Sequence, residues 1–222
     1  MNSLETRSIC VLFAADSFWE EARVLAIAEH KPGPGFVGPR VRLRPILESD
    51  LPILMKWDND PDITRWAGKR FEDDADAREW YLARRNLQRK TFAIESNEHG
   101  LIGEIEVINI SWRLHTAELR IFIGQKELWN RGLGEEAVRV LVSGFFENTT
   151  LREIFLKVDE DNLRAQRCYR KVGFRPKGRI RFCTSTGRGG DTDGDADGYA
   201  HGDGDTSSTL VLMTLTPETF RR

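Results

Sequence analysis

Two glycines, Gly132 and Gly134, stand in the stretch "ELWNRGLGEEAVRVLVSGFF" (127–146), where Ala137, Val138, Leu141, Val142 and Phe145 recur at helical spacing. Glycines at a helix start leave backbone N–H groups open beside the positive end of the dipole, which suits an anion and above all a phosphate. A Walker loop fails, because no Lys followed by Ser or Thr comes after the glycines. A dinucleotide fingerprint matches in letters: Gly132, Gly134 and Ala137 read G-x-G-x-x-A, and the next strand-like run ends in Asp159. It fits badly in context. The first glycine of that fingerprint turns directly out of a strand, whereas "QKELWNR" separates Gly124 from Gly132 and the preceding strands lie in a meander.

The elements that must position this loop are legible on both sides of it. "RVRLRPI" alternates Val41 and Leu43 with arginines, as a half-buried strand does. "ESDLPILMKWDNDPDI" predicts one helix, with Ser49 as N-cap and Pro52 in the first turn, and a second helix is predicted over 74–88. "TFAIES", "LIGEIEVINI" and "TAELRIFIG" predict an antiparallel meander. Beyond the glycine helix, "REIFLKV" predicts a strand, and "NLRAQRCYRKV" a helix with Ala165, Cys168, Tyr169 and Val172 on one face. "FRPKGRIRFC" and "STLVLMTL" predict two closing strands.

Two segments fall outside this pattern. Residues 1–38 read as an extension and linker, with Ser17 and Glu20 at capping-box spacing before a helix over 18–28, then the breaker run "KPGPGFVGP"; the domain proper is 39–222. Between the last two strands, 184–208 is rich in Gly, Asp, Ser and Thr and is expected to be a disordered loop. Asp193, Asp195, Asp197 and Gly198 match positions 1, 3, 5 and 6 of an EF-hand loop, but position 12 is Gly204 rather than Glu and no helices flank it. A solvated acidic loop is the expectation there, and no metal is expected.

Bulk properties narrow the class. A chain of 222 residues suits one domain with additions, and 40% apolar content is ordinary for a soluble protein. The formal net charge of −2 gives no general attraction to nucleic acid. Cys10, Cys168 and Cys183 have no C-x-x-C spacing, so no disulfide framework or zinc knuckle is implied and a reduced, cytoplasmic setting is expected. No run approaches the ~18 apolar residues of a membrane span. "ICVLFAA" is short and closed by Asp16, which argues against a signal peptide.

"WNRGLGEEA", followed one strand later by "NLRAQRCYRKVGF", resembles the acetyl-CoA signature of the GNAT N-acetyltransferase superfamily. Gly132 and Gly134 match the glycines of its R/Q-x-x-G-x-G/A loop. Asn162, Ala165, Tyr169, Lys171, Gly173 and Phe174 match its later N-x-x-A-x-x-x-Y-x-K-x-G-F helix. Trp129 stands where Arg or Gln is usual, and "INISWRLHTAELRIFIG" resembles the branch of ribosomal-protein N-terminal and spermidine acetyltransferases. The resemblance covers 41–182 and the final strand, and not 1–38 or the Asp/Gly loop. It implies an α/β (α+β) fold, with a mostly antiparallel, splayed sheet and helices on both faces.

The resemblance also implies chemistry: transfer of acetyl from acetyl-CoA to a primary amine by direct attack. Backbone N–H groups over 131–135 (Arg131, Gly132, Leu133, Gly134, Glu135) would cradle the CoA pyrophosphate, beside Trp129. Main chain at Leu119, Ile121 and Ile123 would pair with the pantetheine arm. Asn162 and Ala165 would contact CoA, though Asn162 serves equally as a helix cap. Tyr169 would protonate the departing thiolate; its ring could instead simply fill the core. Glu118 would take the amine proton, or merely pair with Arg120. The acids Asp58, Asp60, Asp62, Glu72, Asp73, Asp74 and Asp76, interleaved with Trp57, Trp66 and Trp80, could recognise a cationic amine such as a polyamine or aminoglycoside; helix-start acids and core tryptophans need no such role. A peptide N-terminus is the rival acceptor, and a CoA-binding domain without turnover the non-enzymatic rival. A homodimer is expected by family analogy. No acyl-enzyme is expected, since no His partners Cys168 or Cys183.

Overall fold

The computed structural model describes residues 36–67, 70–83, 88–183 and 207–220. The expected helix over 18–28, most of the 1–38 extension and nearly all of the 184–208 loop, with its EF-hand-like run, lie outside the described residues. Seven strands form one sheet: β1 (Val41–Pro45), β2 (Lys90–Ser96), β3 (Gly100–Ser111), β4 (Thr116–Ile123), β5 (Glu153–Asp159), β6 (Arg175–Cys183) and β7 (Ser207–Leu215). Their order is β1-β2-β3-β4-β5-β7-β6, and every neighbouring pair is antiparallel except β4 with β5.

That parallel pair is the feature on which the site depends. Pairing runs only from Thr116↔Glu153 to Glu118↔Phe155. β5 then continues along β7 as far as Asp159↔Leu210, so Leu119 to Ile123 have no partner strand on that side among the described residues. The two strands splay apart at mid-sheet, as the family resemblance implies.

Helices cover both faces. On one, α4 (Leu133–Asn148) and α5 (Leu163–Val172) bury a core that includes Val107, Leu119, Leu141, Phe145 and Met213. On the other, α1 (Leu51–Asp58), α2 (Pro61–Ala67) and α3 (Asp74–Ala83) close a smaller cluster of Ile46, Leu54, Trp57 and Ile63. The single helix expected before residue 68 is two helices. Pro61 has no N–H to give to the preceding turn and its ring crowds it, so α1 stops at Asp58 and α2 restarts at the proline. Ser49 is not its cap either; it sits in a 3-10 turn, Glu48–Asp50, where Asp50 accepts from Leu47 N at 2.7 Å and pairs with Arg44. Of the helix expected over 74–88, the structure describes Asp74–Ala83, opened by Asp73, whose carboxylate accepts from Ala75 N and Asp76 N at 2.8 and 3.0 Å. No helix among the described residues is long and apolar enough to cross a membrane.

Candidate active site

The start of α4 is built from glycine and salt bridges. Gly132 is its N-cap at φ 80°, a left-handed conformation that any Cβ would strain, and no side chain caps the helix. The first-turn N–H groups are thus left to a ligand. The two acids of that turn are occupied elsewhere. Glu136 accepts from Arg40 N and Nε at 2.6 and 2.8 Å, and Glu135 pairs with Arg139 at 2.9 Å. Arg40 also donates to Arg131 O at 3.0 Å, so one arginine pins the loop to the helix.

β4 supplies a second row of main-chain groups. Gly124 N donates to Ile102 O at 2.8 Å, and with the register Gly103↔Ile123 this puts Leu119, Ile121 and Ile123 in the positions that do not bond to β3. Their N–H and C=O groups therefore face the gap left by β5. The outermost one is already engaged: Trp129 Nε1 donates to Ile123 O at 2.7 Å, while the Arg164 guanidinium stacks 3.8 Å above the indole. This gives Trp129 a local task at the position where the motif usually carries Arg or Gln.

α5 closes this side. Asn162 Oδ1 accepts from Ala165 N at 3.1 Å, so it is a helix cap, and both residues border the same cavity. Tyr169 is 9% exposed, its ring 5.8 Å from that of Phe174. Cys168 borders the cavity too, and burial pushes its thiol up to about 11, which keeps it protonated and a poor nucleophile near neutral pH.

One cavity of about 640 Å³ joins these pieces to the opposite face of the sheet. It is bordered by Gly132, Leu133, Gly134 and Glu135, by Leu119, Ile121 and Ile123, and by Trp129, Asn162, Ala165 and Tyr169. It ends among Asp58, Arg70, Trp80, Glu104 and Glu106. Two expected site residues are not on its wall. Arg131 is exposed and contributes its carbonyl to Arg40. Glu118 is fully buried, and its carboxylate is held by Asn109 Nδ2 at 3.1 Å, Arg120 Nε at 3.4 Å and Lys157 Nζ at 3.3 Å. It sits behind Arg120 and Lys157, both of which do border the cavity. Of the acidic and aromatic residues singled out before and within α3, Asp58, Asp62, Trp66 and Trp80 reach the wall. Trp57 instead packs edge-on against Phe122 with ring centroids 6.0 Å apart, and Asp60 pairs with Lys126.

Sequence reasoning named Asp58 but missed Arg70, Arg89, Glu104 and Glu106 at this far end. Asp58, 4% exposed, accepts from Arg70 N and Phe71 N at 2.8 and 2.9 Å. Arg70 Nη1 reaches Glu104 Oε1 at 2.6 Å, and Arg89 Nε reaches Glu106 Oε2 at 3.0 Å. Arg70 lies over the rings of Phe71 and Phe122, at 4.8 and 5.2 Å from their centroids. Burial raises the Glu104 carboxyl above the usual carboxylate range, against the opposing pull of Arg70. Its proton is bound more tightly in the folded than in the unfolded chain, so the group costs stability as pH rises from the ordinary carboxylate range through its raised value. The signal was available in "GEIEV": strand alternation puts Glu104 and Glu106 on one face of a central strand, with apolar residues between and beside them.

Comparison with known proteins agrees with this geometry. Residues 40–175 match the family model described as an acetyltransferase (GNAT) domain. The spermidine N(1)-acetyltransferase of Escherichia coli strain K12 is 26% identical over 144 residues, covering 63% of this chain and 75% of that protein. An uncharacterised protein of Methanocaldococcus jannaschii is 27% identical over 146 residues, but the match spans only 29% of its length. Among solved structures, spermidine N-acetyltransferase from Vibrio cholerae, in complex with CoA and spermine, superposes with a TM-score of 0.68 at 20% identity, covering 82% of this chain and 98% of that one. With a family model spanning most of the chain and a splayed sheet bordered by a glycine-opened helix, the chain belongs to the GNAT acetyltransferase family, whose acyl donor is acetyl-CoA.

Proposed function

We propose that this chain transfers the acetyl group of acetyl-CoA to the primary amine of a small cationic acceptor, of the polyamine or aminoglycoside kind, by direct attack. The observation that carries this reading is the single cavity linking the open start of α4, the free edge of β4 and Tyr169 to a carboxylate-lined end. In it, the N–H groups at Gly132 to Glu135 hold the CoA pyrophosphate, Arg131 adds a cation near by, and Leu119 and Ile121 offer main-chain partners to the pantetheine arm. Asn162 and Ala165 flank the donor, and Tyr169 gives its proton to the leaving thiolate. Glu118 holds Arg120 and Lys157 in place rather than meeting the amine.

Charge supports a small amine. The acceptor end is lined by Asp58, Asp62, Glu104 and Glu106 beside Arg70, Arg89, Arg120 and Lys157, with Glu118 behind the last two and Lys126 paired to Asp62. The carboxylates on this wall can pair with an ammonium placed among them. Trp66, Trp80 and Phe122 add aromatic wall on which a cation or an apolar stem can rest. A cytoplasmic site of action and a homodimer belong to the same proposal, on family likeness.

The test is thiol release from acetyl-CoA with spermidine, kanamycin and short peptides of varied N-terminus. Release with spermidine or kanamycin supports the reading. Release with peptides alone would move the acceptor to a protein N-terminus, and acetyl-CoA binding without release for any amine would leave a binding domain.

A further inference from the structure

An alkylammonium, with a pKa near ~10, has no lone pair for attack until some group takes its proton. The carboxylates around the acceptor end differ in how much of each is already spent. Asp58 has Oδ2 on two backbone N–H groups and Oδ1 on Arg70 Nε at 3.3 Å. Glu106 has Oε2 on Arg89 and Thr91 and Oε1 on Arg89 Nη2 at 3.4 Å. Glu118 has both oxygens engaged, and Asp62 is an exposed rim residue paired with Lys126 at 2.8 Å. Glu104 stands apart. Its Oε1 is held by Arg70, while Oε2 is buried and has no hydrogen-bond partner among the described residues, on a side chain 3% exposed at the cavity wall.

We propose that Glu104 is the proton acceptor for the bound ammonium, through Oε2; this rests on the acetyl-transfer reading above. Arg70 fixes the carboxylate by one oxygen and leaves the other for the substrate. The charged groups around it are Asp58 and Arg70 from the helical side, Glu106 on its own strand, Arg89 ahead of β2 and Arg120 on β4. Desolvation strengthens it as a base, and Glu106 adds to that, while Arg70 and Arg89 oppose.

The proton balance closes. The ammonium gives one proton to Glu104 Oε2, and the neutral amine forms the C–N bond at the thioester carbonyl carbon. The C–S bond breaks, the thiolate takes the Tyr169 hydroxyl proton, and the surplus proton on nitrogen returns to the tyrosinate. Glu104 sheds its proton to solvent. Ammonium and acetyl-CoA have become amide, free thiol and one released proton.

The experiment compares wild type, Glu104→Gln and Glu104→Asp, with whichever of spermidine, kanamycin or peptide the wild type uses, from pH 5 to 10. In Glu104→Gln, kcat is expected to fall on the order of 100-fold with acetyl-CoA Kd unchanged. The residual rate should climb with pH as free amine becomes available, and Glu104→Asp should recover part of the loss together with an acidic limb. Carboxyl-carbon NMR titration, which needs no acceptor, should show one carboxyl titrating above the usual range in wild type and missing in Glu104→Gln. A Glu104→Gln enzyme within threefold of wild type, with the same pH profile, overturns the role. So does the absence of any raised carboxyl. A wild type that binds acetyl-CoA but acetylates no amine sinks the acetyl-transfer reading instead, and the base with it.

Discussion

The two ends of the cavity are made of different materials. The end assigned to CoA is mostly main chain: N–H groups freed by Gly132 at φ 80° and a β4 edge that loses its partner after Glu118. The acceptor end is almost entirely side chain. Asp58 from α1, Arg70 ahead of α3, Glu104 and Glu106 from β3 and Arg89 ahead of β2 form a chain of ion pairs packed against aromatic rings. Main-chain sites tolerate many side chains and need a few glycines and a register. Side-chain sites depend on every partner, because a buried charge left alone is costly.

This contrast predicts that acceptor-end variants injure the fold while donor-end variants injure binding. The largest effect should come from Asp58→Ala. It strips partners from two backbone N–H groups and from Arg70, and should cost roughly 3–5 kcal/mol in a urea or thermal unfolding measurement. A variant as stable as wild type would mean that solvent or another residue replaces Asp58 easily, and the contrast would fail. Next comes Tyr169→Phe. If its hydroxyl protonates the thiolate, kcat should drop about 100-fold, with acetyl-CoA Kd and melting temperature unchanged. A lower melting temperature with unchanged kcat would make it a core residue only.

Gly132→Val should come third. A β-branched residue forced to φ 80° costs about 1–3 kcal/mol locally, which at a loop should appear as acetyl-CoA Kd raised about tenfold or more. Isothermal titration would check it, and an unchanged Kd would show that the loop does not hold the cofactor.

The same contrast explains how much was legible beforehand. The donor end could be read because its requirements are written locally: two glycines at fixed spacing, a helix period after them, and Asn162 to Phe174 one strand later. The meander followed from strand-like runs separated by short polar breaks. The acceptor end could not be read this way. Glu104 and Arg70 are 34 residues apart and meet only because α1–α3 fold over the β3 face, so no local pattern ties them together. Acids crowded around α2 and α3 drew notice by their number, yet most serve helix starts, as Asp73 does, or surface pairs, as Asp60 does. Glu118 illustrates the converse. Its pairing with Arg120, two residues along the same strand, was legible, but not that Asn109 of β3 and Lys157 of β5 would close around it, since these come from neighbouring strands. Pro61 split a helix that hydrophobic period alone had run together.

The smallest expected effect tests the main-chain end most finely. Trp129 closes the outermost free carbonyl of β4, and Arg164 stacks on its indole. Trp129→Phe keeps a ring for Arg164 but loses the N–H, and a hydrogen bond of this kind contributes about 1 kcal/mol. Were Ile123 O a partner for the pantetheine arm, the indole would compete for it, and the variant should bind acetyl-CoA as well as wild type or better. If instead the indole holds the loop against β4 so that Gly132 and Gly134 present their N–H groups correctly, affinity should weaken about fivefold while kcat stays put. We expect the second outcome. Ile121 and Leu119 lie further along the open edge, where β5 has diverged, so the arm has main-chain partners without Ile123. Titration of acetyl-CoA into both proteins decides between them, and the direction of the change is enough.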